Sequence, residues 1–266
     1  MGRIERTFAD LKARDRKGFI AYITAGDPNL ESTVRLVREL EQNGVGLVEL
    51  GVPFSDPIAD GPVNQEAALR ALAGGVTLAG ILDAAAEIRR DSEIPLILFA
   101  YFNTILQYGL ERFGADAARS GIDGVLALDL PPEEAGVYKK IMDARGIATI
   151  FLVSPVTPED RIEAIARYVS GFVYYVSQMG VTGVRDAVGS TIPAMVERIR
   201  RFTALPIAAG FGISDPGQVR EAAQYADAVI VGSAIVRKIG ELGGTPGFER
   251  EIGVFAGNLT RPLKGP

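Results

Sequence analysis

Near its beginning the chain reads Val45-Gly46-Leu47-Val48-Glu49-Leu50-Gly51, a short apolar run that a single carboxylate interrupts. A run of this length without polar alternation is typical of a parallel strand that is buried on both faces. Seven similar runs follow or precede it, at Gly18–Thr24, Pro95–Ala100, Ile122–Leu128, Ile147–Val153, Phe172–Val176, Pro206–Ala209 and Ala226–Val231. The pattern therefore predicts eight buried parallel strands.

Longer stretches with apolar residues at three- and four-residue spacing separate these runs, as expected of amphipathic helices. They include Leu30–Asn43, Ile81–Arg90, Glu111–Ser120, Pro132–Arg145, Pro158–Tyr168, Thr191–Phe202 and Pro216–Tyr225. Dipeptides such as Asp27-Pro28 are typical of helix starts. Eight strand–helix units without a break in composition predict an α/β fold with one domain over residues 1–266, a closed (β/α)8 TIM barrel.

The main alternative is a doubly wound open sheet. That fold would favour a glycine-rich dinucleotide-binding turn after the first strand, and Ala25-Gly26-Asp27-Pro28 is not such a turn. An extra helix, roughly Arg3–Ala13, precedes the first strand, and we expect it to close the lower mouth of the barrel. The long loops Val52–Pro62 and Ser177–Ser190 follow strands two and six, where barrel enzymes carry their active sites and lids.

Composition excludes several classes of chemistry. The 266 residues contain no cysteine and no histidine, which removes thiolate nucleophiles, Ser-His-Asp triads and the usual metal sites. The net charge of −5 and the lack of a dense Lys/Arg stripe argue against a nucleic-acid partner. The charged first residues do not resemble a signal peptide, and no apolar run is long enough for a bilayer. We therefore expect a cytoplasmic protein without membrane contact.

Two carboxylates stand out as candidates for acid and base chemistry. Glu49 lies inside an apolar strand near its carboxyl end, and burial without a partner would raise its pKa toward neutrality. The alternative is a structural ion pair, although none of the eight runs contains a lysine or an arginine. Asp60, in the loop after the same strand, either faces the same mouth or caps the helix that Gly61-Pro62 begins.

The segment from Glu49 to Pro62 closely resembles the signature of tryptophan synthase α subunits. Four shorter motifs resemble the same family in the same order, namely Thr24-Ala-Gly-Asp-Pro28, Gly180-Val-Thr-Gly183, Gly210-Phe-Gly-Ile-Ser214 and Val231-Gly-Ser-Ala234. The resemblance implies a lyase of tryptophan biosynthesis that cleaves indole-3-glycerol phosphate to indole and glyceraldehyde 3-phosphate by a retro-aldol step. It also implies additional short helices on the phosphate side of the barrel.

By this resemblance Glu49 is the principal acid and base, which protonates indole C3 and assists proton loss from the glycerol hydroxyl. Asp60 holds the indole N–H and stabilises the positive charge that develops on the ring. The hydroxyl of Tyr174 could reach the reacting glycerol. No metal and no cofactor in this chain are implied, and pyridoxal phosphate is expected on a partner β subunit in an α2β2 assembly.

The phosphate of the substrate needs backbone N–H donors and a helix N-terminus. Gly183, Gly212, Gly232 and Ser233 follow strands six, seven and eight, and the loops after strands seven and eight form the usual phosphate position of this fold. The alternative is that each is an ordinary tight turn. The indole ring is expected to lie in a flat apolar slot formed by Tyr22, Phe99, Tyr101, Leu126 and Phe211.

The resemblance also implies contacts that close a lid and bind the partner. Thr182 would reach the Asp60 loop, and Pro53 with Asp56 would lie at the contact with the β subunit. The chain departs from the family at Tyr22, where a phenylalanine is frequent and the extra hydroxyl needs a partner. It also departs at Gln178, where some members carry an arginine, so the resemblance does not imply a loop-closing arginine at this position.

Other functions remain as alternatives. A class I aldolase needs a lysine at a strand end, and the six lysines all fall in predicted helices or termini. An isomerase that uses two acids on the same phosphate-binding barrel would act on an Amadori-type substrate without a partner protein. A catalytically silent barrel that activates another subunit would be favoured by loss of Glu49 or Asp60, and both are present. A lyase that releases indole without a partner also fits this sequence.

Overall fold

The computed structural model describes residues 1–176, 188–210 and 212–263, with the backbone alone for residues 188–191. Eight parallel strands close into a barrel in chain order, and the last pairs with the first. Their bounds are β1 Gly18–Thr24, β2 Leu47–Gly51, β3 Leu96–Ala100, β4 Gly124–Ala127, β5 Ala148–Val153, β6 Val173–Val176, β7 Ile207–Gly210 and β8 Ala228–Val231. The predicted (β/α)8 TIM barrel is confirmed.

Helices follow every strand on the outside of the barrel. They are α2 Leu30–Gln42, α3 Pro62–Ala73, α4 Leu78–Ile88, α5 Phe102–Tyr108, α6 Leu110–Arg119, α7 Gly136–Asp143, α8 Glu159–Ala166, α9 Val188–Arg200, α10 Pro216–Ala223, α11 Ser233–Leu242 and α12 Phe248–Thr260, and one further helix, α1 Arg3–Ala13, precedes β1. Two helices follow each of β2, β3 and β8, and α11 begins directly after the end of β8. The predicted Pro132–Arg145 helix is divided into a short 3-10 turn, Pro132–Glu134, and α7.

Alternate residues of each strand face the barrel interior and the surrounding helices. Ile20, Leu47, Ile97 and Leu126 pack together inside the barrel. Their chain neighbours, such as Ala21, belong to the larger core between strands and helices. On β1 and β2 the register pairs Tyr22 with Glu49, so both side chains emerge on the same face of the sheet.

Helix α1 covers the amino end of the barrel, as the sequence predicted. Ile4 and Phe8 are buried in the interior cluster, and the Phe8 ring lies 5.9 Å from that of Phe172. Asp123, just before β4, accepts hydrogen bonds from Arg3 at 3.1 Å and from Arg89 at 2.6 Å. Apolar packing and this shared carboxylate together hold α1 against the barrel.

Within the described ranges, no helix taken alone has both the length and the apolar composition to cross a membrane. The pair α3 and α4 meets that test together, but the two helices are bent by 95° at their junction.

Candidate active site

Glu49 is fully buried near the carboxyl end of β2. Its two carboxyl oxygens have no hydrogen-bond partner among the residues that the structure describes. Burial away from water disfavours the charged form and raises the pKa of Glu49 to about 8. The structural ion pair that the sequence left open is therefore not found in the described part of the chain.

Asp60 lies in the loop that joins β2 to α3, and two neighbouring groups hold it. The Tyr101 hydroxyl donates a hydrogen bond to Asp60 Oδ2 at 3.0 Å. The same hydroxyl accepts a hydrogen bond from the Ala59 backbone N–H at 2.9 Å. Gln65 Nε2 donates to the Asp60 carbonyl oxygen at 2.8 Å. The N-cap residue of α3 is Gly61, and Asp60 does not cap the helix. The Asp60 carboxyl group is thus held by the Tyr101 hydroxyl and not by the backbone at the start of α3.

The environments of the two carboxyl groups differ. Burial raises the pKa of Asp60 as well, but hydrogen bonds from Tyr101 and Asn64 oppose that rise. No such bond opposes the rise at Glu49. Glu49 therefore retains its proton more firmly than Asp60, and this pair can combine a proton donor with an anion.

Aromatic side chains lie around the two carboxyl groups. The rings of Tyr22 and Phe99 meet edge to face with centroids 5.1 Å apart, and the Tyr101 ring stacks on Phe54 at 4.8 Å. Leu126 is 1% exposed within the interior cluster. These predicted slot residues lie on β1, β3 and β4 and, for Tyr101, directly after β3.

The Tyr22 hydroxyl, which the resemblance left without an explanation, lies against Gly51. A Cβ atom at Gly51 would be 2.2 Å from the Tyr22 oxygen, so a side chain there would require the tyrosine to move. Burial, with the carboxyl groups of Asp60 and Glu49 nearby, raises the pKa of Tyr22. The Tyr22 hydroxyl is therefore a neutral group close to the two carboxyl groups.

Tyr174 extends from β6 toward the same cavity. Its hydroxyl lies 3.0 Å from the point where a Cβ of Gly210 would be, at the end of β7. Burial raises the pKa of Tyr174 well above its usual value, and the Glu49 carboxyl adds to that rise. The phenol is consequently a hydrogen-bond donor near Glu49 rather than a base.

Three of the four predicted phosphate residues, Gly212, Gly232 and Ser233, follow β7 and β8. Gly212 has φ +55°, a left-handed conformation that favours glycine, and Ser233 is the first residue of α11. The Gly232 carbonyl accepts from the N–H groups of Ile235 and Val236. The earlier N–H groups of α11 have no acceptor within the helix, which is the arrangement that binds anions.

Four residues of interest lie outside the described residues, namely Gly183, Thr182, Gln178 and Phe211, as does most of the predicted lid loop. Pro53 is buried, whereas Asp56 is exposed and accepts a hydrogen bond from the Ser55 hydroxyl at 2.6 Å. Pro53 and Asp56 both lie on the loop that carries Asp60.

Sequence reasoning missed the residues of α3 that hold this loop. Asn64 and Gln65 were not identified, although they follow Asp60 within about one helical turn, which is the range for side chains that contact the preceding loop. It also missed the ion pair between Arg70 and Asp27, because 43 residues separate these two positions.

Comparison with known proteins gives one consistent answer. The family model described as tryptophan synthase alpha chain matches residues 8–256. The tryptophan synthase alpha chain of Geotalea daltonii is 51% identical over 244 residues, which are 92% of each chain. The crystal structure of tryptophan synthase subunit alpha from Legionella pneumophila superposes with a TM-score of 0.89, at 35% identity over 99% of this chain and 98% of that one. A chain of the tryptophan synthase complex from Pyrococcus furiosus superposes with a TM-score of 0.83, at 36% identity over 92% of this chain and 99% of that one.

Proposed function

Because the chain belongs to the tryptophan synthase alpha chain family, we propose that its barrel mouth cleaves indole-3-glycerol phosphate with Glu49 as the acid and base. The reaction is a carbon–carbon lyase step of tryptophan biosynthesis, a retro-aldol cleavage that yields indole and glyceraldehyde 3-phosphate. Membership of this family favours the lyase over the two-acid isomerase. The observation that carries the assignment is the buried Glu49 carboxyl without a partner among the described residues.

The raised pKa of Glu49 supports its role in the first proton transfer. With a pKa of about 8 the carboxyl group is mostly protonated at neutral pH and can donate to indole C3. Protonation turns the ring into a cation that accepts the electron pair of the bond to the glycerol chain. The Glu49 carboxylate then takes the proton of the glycerol hydroxyl as that bond breaks, the aldehyde forms, and the acid is regenerated.

Asp60 acts on the nitrogen side of the ring. Its carboxylate accepts the indole N–H and lies close to the positive charge that spreads over the protonated ring. The hydrogen bond from Tyr101 to Asp60 Oδ2 favours the ionised form that this role needs. Tyr174, a neutral donor near Glu49, is suited to hold the hydroxyl of the glycerol chain.

The remaining contacts divide between the two ends of the substrate. Tyr22, Phe99, Tyr101 and Leu126 form the walls for the ring, supported by their burial and ring contacts. Gly212, Gly232 and Ser233 bind the phosphate through backbone N–H groups and the start of α11. Gly183, Thr182 and Phe211 complete these contacts by resemblance to the family alone.

The alpha chain carries no cofactor of its own, since pyridoxal phosphate belongs to the β subunit with which the family forms an α2β2 assembly. We place the partner contact on the Pro53–Asp56 loop, where Asp56 is exposed and the neighbouring Ile58 is 91% exposed. We also regard residues 1–266 as one domain, because β8 closes on β1. A cytoplasmic location stays a prediction from the sequence.

The decisive experiment measures indole release from indole-3-glycerol phosphate, with and without a tryptophan synthase β subunit. We expect Glu49→Gln to lower kcat by about 10²- to 10⁴-fold while the protein remains folded, because the amide cannot exchange the proton. Glu163→Gln, on the exposed face of α8, is the matched control and should retain wild-type turnover. Near-normal turnover of Glu49→Gln would refute the assignment of the acid.

A further inference from the structure

We propose that Arg70 is a positioning residue whose ion pair with Asp27 sets the spacing between helix α3 and helix α11. Asp60 immediately precedes Gly61 at the start of α3, and Ser233 begins α11. The inference rests on the proposed function, because a substrate held at both helices must fit the spacing between them. Arg70 itself lies further along α3, away from the reacting atoms.

The ion pair has the geometry of a fixed connection. Arg70 Nε donates to Asp27 Oδ1 at 2.9 Å, and Arg70 Nη2 donates to Asp27 Oδ2 at 2.8 Å. Two parallel bonds of this kind restrict the orientation of both groups. Asp27 is 2% exposed, and the preceding Gly26 N–H donates to Thr33 Oγ1 at 2.8 Å. The carboxylate that receives Arg70 is therefore anchored to β1 and α2.

Helix α11 lies against the other side of the same arginine. A Cβ at Gly240 would be 3.0 Å from Arg70 Nη2, so the missing side chain leaves space for the guanidinium. Ala67 of α3 and Val236 of α11 are fully buried in one small cluster with Tyr22. The two helices thus pack together above the end of β1, and Arg70 lies between them.

This arrangement links the two ends of the ligand site. Gln65 of α3 binds the Asp60 carbonyl at 2.8 Å, so a displacement of α3 would also move Asp60. The phosphate corner belongs to the first turn of α11. A ligand that contacts Asp60 through its ring and α11 through its phosphate is sensitive to the spacing, whereas a ligand that binds one corner is not.

The test compares two ligands on Arg70→Met, which keeps an unbranched side chain and removes both hydrogen bonds. The first ligand is an unreactive analogue in which a saturated chain joins indole and phosphate, and the second is glycerol 3-phosphate. We expect the affinity for the analogue to fall about tenfold, with a similar rise in KM, because a small misplacement weakens contacts at both ends together. The affinity for glycerol 3-phosphate should change by less than about twofold.

Two further variants separate positioning from general damage. Removal of Arg70 leaves a buried carboxylate, so the Arg70→Gln, Asp27→Asn double variant is measured in parallel as a pair without unpaired charge. Arg38→Met removes an arginine–aspartate contact at the surface, with Asp91 at 3.0 Å, between α2 and the turn after α4, and should leave both affinities unchanged. Equal weakening of the two ligands in the double variant, or unchanged affinity for the analogue, overturns the proposal.

The outcome also separates this inference from the proposed function. A wild-type protein that releases no indole, alone or with a β subunit, contradicts the function itself. A wild-type protein that releases indole, together with Arg70 variants that keep the wild-type KM, contradicts the positioning role alone.

Discussion

At the scale of single residues, the proposed mechanism depends on the contrast between Glu49 and Asp60. Both carboxyl groups lose solvation, which raises both pKa values. The Tyr101 hydroxyl donates a hydrogen bond to Asp60, which partly offsets its loss of solvation. Glu49 receives no hydrogen bond from the described residues. Environments that separate the pKa values of two acids are the means by which one fold provides both a proton donor and an anion.

The buried acid also predicts how stability depends on pH. Its pKa rises from 4.5 to about 8 on folding, so the folded protein keeps a proton that the unfolded chain loses between these values. The stability that the neutral acid provides is complete below pH 4.5 and is lost as pH rises toward 8. We expect the wild type to lose up to about 1.4 kcal/mol per pH unit relative to Glu49→Gln in this interval.

Urea unfolding at several values between pH 5 and pH 9 measures this difference. Glu163→Gln on the surface is the control, and its free energy of unfolding should follow that of the wild type. If the free energies of unfolding of the wild type and of Glu49→Gln change with pH in parallel over the whole range, Glu49 is ionised in the folded protein.

The sequence was a good guide to Glu49 and a poor one to Asp27. A carboxylate in an apolar strand run is visible by local inspection, since burial follows from its neighbours. Asp27 was interpreted as part of a helix start, whereas Asn29 caps α2 and Asp27 pairs with Arg70. That pairing depends on how α3 lies over β1, and no local pattern contains this information.

At the scale of elements, the eight strands were predicted within two residues at their ends. The predicted runs extend beyond the paired segments because flanking residues such as Val45 and Ile122 are buried without joining the ladder. Of helix α3, the sequence analysis predicted only the start, at Gly61-Pro62. Its buried residues are the small Ala67, Ala68 and Ala71, so its apolar face is less evident than that of α2.

Helix α11 supports a prediction about anions. Inorganic phosphate should raise Tm, because a ligand that binds the folded state alone stabilises it by mass action. Ser233→Asp should abolish this effect, since it places a negative charge at the helix start that we propose as the phosphate site. Thr77→Asp, at the N-cap of α4, is the matched control and should respond to phosphate as the wild type does. A phosphate-dependent rise of equal size in Ser233→Asp would remove α11 from the site.

At the scale of the whole molecule, α1 completes the core by filling the amino end of the barrel. Phe8→Ala should lower the free energy of unfolding by about 3 kcal/mol, because it removes a buried ring that contacts Phe172. Turnover of the folded variant should be preserved, since Phe8 lies at the end opposite the site. Urea unfolding and the indole assay check both statements, with Val254→Ala on the exposed face of α12 as control. A loss below about 0.5 kcal/mol would mean that α1 contributes little to the core.

The position of α1 has a further consequence for the route by which a product leaves the barrel. Since α1 fills one end of the barrel, we expect the product of cleavage beside Glu49 to leave at the opposite end, where the loop of Asp60 and Asp56 lies. A subunit that binds to that loop would lie next to the open end of the barrel. We therefore expect the helix that completes the core to set the direction of product release as well.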